Sequence, residues 1–179
     1  MDTSTYLSID RLLSSIMVVE VDDSGWGDLI GGVVIVMRRV ETGESHVGEI
    51  PLEFFRAPEF KYKEYLRAVT QIILEGIEDL CIEQGEPLHI CTGYVFSSAK
   101  ETLMKLGYKV KEVKITGATQ ELAEKTFIES LVRLGVGSHR EAAEMRSFDG
   151  FLEWVHEDME HREQYVKTGW RSWSKHRGR

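Results

Sequence analysis

Val18-Val19-Glu20-Val21-Asp22-Asp23-Ser24-Gly25-Trp26-Gly27-Asp28-Leu29-Ile30-Gly31-Gly32-Val33-Val34-Ile35-Val36 reads as a strand, a tight acidic turn and a second strand. The first run is β-branched and apolar and ends on two adjacent carboxylates. Gly25 and Gly27 allow the chain to reverse, because glycine adopts positive φ without a steric penalty. Carboxylates at the end of a buried strand are costly unless something pairs with them, and a divalent cation is one such partner. The second run is too short and too rich in β-branched residues for a membrane span.

Outward from that turn, the chain alternates its periods. Ile16–Val21 and Leu29–Val40 are expected strands, and Glu41-Thr42-Gly43-Glu44 is a turn into a third strand at His46–Leu52. Short connections make these three an antiparallel meander. Tyr62, Tyr65, Leu66, Val69, Ile72, Ile73, Ile77 and Leu80 recur at helical spacing, which predicts a helix over Lys61–Gln84 closed by Gly85. Pro87–Cys91 is a brief strand. Ser98-x-x-Glu101 is a capping-box pattern opening a helix that Gly107 ends. Tyr108–Ile115 is a fifth strand, and Thr119 is placed to cap a helix reaching Leu134. A short helix is expected at Tyr6–Leu13. Parallel strands with helices on the sheet follow from the βα alternation. The expected class is α/β, in the order β-β-β-α-β-α-β-α.

Ser138-x-x-Glu141 opens further helical sequence to about Tyr165, so residues 1–137 are read as the main domain and 138–179 as a helical extension. The extension ends in a basic, aromatic tail. Residues 161–179 hold six Lys/Arg against one Glu, whereas the rest of the chain holds 16 against 29. Trp170, Arg171, Trp173, Lys175 and Arg177 interleave rings with cations, a pattern suited to stacking on bases and neutralising phosphates. The same tail suits an acidic protein surface, including a second copy of this chain. The overall charge of −8 argues against indiscriminate nucleic-acid binding. Two cysteines, Cys81 and Cys91, suit a reducing, cytoplasmic setting. No secretory signal and no membrane span is expected.

The element order and the acidic turn together resemble the ribonuclease H-like superfamily, over about two-thirds of the chain. Type 2 ribonucleases H carry Asp-Glu-Ala-Gly-Arg-Gly at this point, and Asp22-Asp23-Ser24-Gly25-Trp26-Gly27 is similar. Type 1 enzymes carry Asp-Gly-Ser and then a glycine pair, for which Asp22, Ser24 and Gly31-Gly32 stand. The resemblance implies a five-stranded mixed sheet and three or four carboxylates holding two Mg²⁺ or Mn²⁺ ions ~3.5–4 Å apart. Asp22 is then the first-strand ligand. Asp23 is the second by the type 2 pattern, or Glu64 by the type 1 pattern. Helical geometry sets Glu64 about 160° from the centre of its helix's apolar stripe, toward solvent. Glu121 stands for the last carboxylate. The fourth strand, ending His89-Ile90-Cys91-Thr92-Gly93, has no acid where the family has one.

Two functions follow from the resemblance: a metal-dependent nuclease acting on RNA, an RNA–DNA hybrid or structured DNA, and a non-catalytic module binding protein or nucleic acid. The turn also resembles the first phosphate loop of sugar-kinase and actin-like ATPases, a third reading.

Overall fold

The computed structural model describes residues 17–177; the helix expected at Tyr6–Leu13 lies outside them. The chain forms β1 (Val19–Ser24), β2 (Val33–Arg39), β3 (Ser45–Ile50), α1 (Glu64–Asp79), β4 (Leu88–Cys91), α2 (Ser97–Lys105), β5 (Val110–Val113) and α3 (Ala118–Arg133). The extension adds α4 (His139–Glu144), α5 (Phe148–Glu157), α6 (Met159–Arg162) and α7 (Arg171–His176). The five strands make one sheet in the order β3-β2-β1-β4-β5. The meander is antiparallel, and β4 and β5 run parallel to β1, as the alternation requires. No helix among the described residues is long and apolar enough to cross a membrane.

Both faces of the sheet are covered. Val33, Ile35 and Met37 of β2 face a core shared with Val69, Ile73 and Ile77 of α1 and Leu103 of α2. Val34 and Val36 face the opposite core, with Phe127 and Leu131 of α3. Burial on both faces explains why the β2 run is continuously apolar rather than alternating. Extension residues Ala142, Phe151, Val155, Val166 and Trp173 are buried in this second core.

Several boundaries differ from expectation, each for a physical reason. Leu29–Gly32 is not part of β2. Its backbone is spent on the C-terminal segment, where Gly31 N–H donates to Tyr165 O and Lys167 N–H to Leu29 O, both at 2.9 Å. Helix α1 starts only at Glu64 because Lys63 is left-handed, at φ 56°. It ends before Cys81, another left-handed residue, at φ 50°. Ile82 N–H bonds Ile77 O and Cys81 N–H bonds Glu78 O, a Schellman closure in which cysteine takes the usual glycine position, so Gly85 is not the stop. Gly107 does close α2 in the expected way, with bonds from Gly107 and Tyr108 back to Met104 and Leu103. The box at Ser98 does not form, because α2 continues directly from a 3₁₀ turn at Tyr94–Phe96. The box at Ser138 and Glu141 does form.

Candidate functional site at the end of β1

Alternation along β1 sends Glu20, Asp22 and Ser24 toward the α3 side and Val19, Val21 and Asp23 toward the α1 side. The acid pair therefore straddles the sheet at the strand's end. Beside it lies β4, whose last parallel pair with β1 is Ile90 opposite Val21, so Cys91 comes level with Asp22. One ligand atom each from Asp22, Asp23 and Cys91 lie within 4.8 Å of one another. The next loop closes the group from the α1 side. A Cβ on Gly93 would come within 3.4 Å of Asp23 Oδ1.

Burial pushes the Asp22 carboxyl up, and the charges of Glu124 and Glu20 add to it; bonds from the Cys91 thiol and the Asp23 backbone oppose the shift. Asp23 is pushed up to about 7, first by burial and then by Asp22, with Lys167 opposing. Burial likewise raises the Cys91 thiol, against a bond from the Gly93 backbone. The group is thus short of positive charge. Because the unfolded chain releases the Asp23 proton near pH 4 and the folded chain near 7, the folded state binds more protons between those values. Stability is expected to fall as pH rises from about 4 to 7, by on the order of 2–4 kcal/mol. Denaturant titrations across that window test this: Asp23→Asn should flatten the slope, and an unchanged slope would exclude Asp23 as its source.

The other expected ligands stand apart from this group. Glu64 sits half-buried at the start of α1 and pairs with Arg67 at 3.1 Å. It lines an open groove with Glu49, Pro51 and Phe54, away from the acid pair. Glu121 is exposed on α3 and lines a cleft with Lys125 and Arg146. It is Glu124, nearly one turn further along the helix, whose charge reaches Asp22. Thr119 does not cap α3. Gly117 holds that position, and the Thr119 hydroxyl donates to Glu20 on β1.

The tail also departs from expectation. Trp173 is buried and offers no face to a base, and Trp170 packs edge-on to Trp26 of the turn at 5.6 Å. Arg177 pairs with Glu163 at 2.7 Å; Arg171 and Lys175 are exposed on α7. The rings are used in packing, so the interleaved pattern is an amphipathic helix rather than a loose basic arm.

Cys91 and Lys167 belong to the site, and sequence reasoning missed both. Cys91 carried a signal, since it ends the fourth strand where the resemblance asks for an acid. Lys167 carried none.

The three donors that lie together do not by themselves complete a site for a pair of Mg²⁺ or Mn²⁺ ions, although the charges of Glu124 and Glu20 reach Asp22. Among the described residues the group offers two carboxylates and a thiol. Hard divalent ions want oxygen donors, and a thiol suits softer metals.

No family model and no curated protein matches the sequence. Among solved structures, a mutant of Bst-RNase HIII matches over 91% of this chain and 70% of that one, at 12% identity and a TM-score of 0.55. The fold is ribonuclease H-like. The catalytic core domain of BIV integrase matches over 82% of this chain and 76% of that one, at 15% identity and a TM-score of 0.38, which adds nothing to the first likeness. In this ribonuclease H-like sheet the acid pair lies at the end of the first strand, and the fourth strand ends in a thiol.

Proposed function

We propose that the protein is a ribonuclease H-like nucleic-acid-binding module, rather than a two-metal nuclease. The observation that carries this reading is Cys91. It takes the place at the end of β4 where two-metal chemistry needs a third oxygen donor beside Asp22 and Asp23.

Binding chemistry is at hand on the same rim. Lys63, held in its left-handed turn, donates from Nζ to the Tyr94 hydroxyl at 2.7 Å and lies 5.4 Å from the centre of that ring. Tyr94 and Tyr62 are exposed, at 51% and 67%. An exposed ring beside a cation suits an unpaired base and its phosphate. Gly93 connects this rim to the acid pair, since a Cβ there would come within 3.4 Å of Asp23 Oδ1. The RNase HIII named among the structural neighbours is consistent with a nucleic-acid partner.

A second reading, the metal-dependent nuclease, is favoured by one observation: Glu124 and Glu20 add carboxylate charge close to Asp22. Incubation of wild type and Asp22→Asn with a labelled RNA–DNA hybrid in millimolar Mg²⁺ or Mn²⁺ separates the two. The binding reading expects no cleavage by either protein. It also expects anisotropy binding of single-stranded RNA or DNA in EDTA that weakens about 10-fold in Tyr94→Ala. Metal-dependent cleavage lost in Asp22→Asn would establish the nuclease instead.

A further inference from the structure

Lys167 is fully buried, at 0% exposure, in a short segment that crosses the acidic turn. Its Nζ donates to three backbone carbonyls of that turn: Gly25 O at 2.7 Å, Asp28 O at 2.8 Å and Ile30 O at 3.2 Å. An ammonium has three N–H donors, and here each has an acceptor. The rings of Phe55 and Phe127 lie 5.5 and 6.0 Å from the same nitrogen. Burial pushes the Lys167 ammonium down to about 7, against the opposing charges of Asp28 and Asp23 that face it, and Arg146 in turn lies 3.6 Å from Asp28.

Carbonyl oxygens that converge on one point repel each other unless a cation lies between them. Here the cation comes from the chain itself, 142 residues from Gly25. The backbone around it is fixed on both sides. Lys167 N–H bonds Leu29 O, Gly169 N–H bonds Phe55 O, and the Arg56 guanidinium donates to the carbonyls of Glu163, Gln164 and Val166.

We infer that Lys167 is a positioning residue: its ammonium fills the oxygen cage of the Gly25–Ile30 turn and thereby holds Asp22 and Asp23 against Cys91. The C-terminal extension is therefore a working part of the site. The inference holds whether the site binds nucleic acid or cuts it.

The reactivity of Cys91 reports the site locally. In a Cys81→Ser background, Cys91 is the remaining thiol. Its alkylation by iodoacetamide should rise at least 10-fold in Lys167→Ala, and millimolar n-propylammonium should restore the slow rate while neutral 1-propanol does not. A rate within twofold of the parent, or equal rescue by the alcohol, would reduce Lys167 to a space-filling side chain. If Lys167→Ala does not fold, Lys167→Met, which keeps the length and removes the charge, takes its place in the alkylation assay. The unmodified protein supplies a second test. At pH 6 the ¹⁵Nζ resonance of Lys167 should be that of a slowly exchanging ammonium coupled to backbone carbonyls. A neutral amine, or a rapidly exchanging one, overturns the inference.

Discussion

Phe127→Ala is expected to lower the unfolding free energy by about 3–5 kcal/mol, the range for removing a fully buried ring. Phe127 is 0% exposed and forms the seat of the acidic turn. A Cβ on Gly25, which has φ 96°, would come within 2.4 Å of the ring, and one on Gly31 within 3.5 Å. The ring also carries the Arg146 guanidinium over it at 5.1 Å from its centre. Loss of the ring removes apolar burial from the second core and support from the turn together. Denaturant unfolding measures the first effect, and amide exchange at Asp28 and Gly31, whose N–H groups donate to Gly25 O and Tyr165 O, measures the second. A destabilisation below about 1.5 kcal/mol would mean that the core collapses around the gap without cost to the turn.

Glu86→Ala should have an effect of similar size, about 3–5 kcal/mol, for an electrostatic reason. Arg39 ends β2, and its guanidinium forms a two-pronged pair with Glu86, at 2.8 Å from Nε and 2.9 Å from Nη2. Glu86 is 1% exposed and also accepts the Glu83 N–H at 3.0 Å. Removing the carboxylate leaves a buried guanidinium without its main partner and a backbone donor without an acceptor. The neighbouring bond from Arg39 to Glu44, at 3.1 Å, cannot substitute, because Glu44 is largely solvated. Arg39→Met combined with Glu86→Leu should recover most of the loss, since replacing both members of a buried pair with apolar groups avoids the stranded charge. If the double variant is as unstable as Glu86→Ala, packing rather than charge is responsible.

These two substitutions act on opposite ends of β2, and they show unequal legibility. The meander, the wide apolar stripe of α1, the glycine stop after α2 and the capping box at Ser138 all have local signatures. Periodicity and cap chemistry are properties of neighbouring residues, so the sequence displays them directly. The helix limits at Lys63 and Cys81 were illegible because left-handed residues other than glycine have no marker in the sequence. The tail left two readings open for a related reason. Rings spaced with cations describe a stacking arm and an amphipathic helix equally well, and only the presence of the second core decides between them.

At the acidic turn the division is sharpest. The residues Asp22-Asp23-Ser24-Gly25-Trp26-Gly27 by themselves determined a reversal after a buried strand, with a carboxylate pair in need of a counter-charge. Tertiary structure decided what answers that need. Parallel pairing of β4 brings a thiol, not an acid, level with Asp22. The C-terminal segment brings one lysine into the turn, where backbone carbonyls satisfy it. Carbonyls are common to every residue, so an ammonium bound by them leaves no complementary side chain for the sequence to reveal.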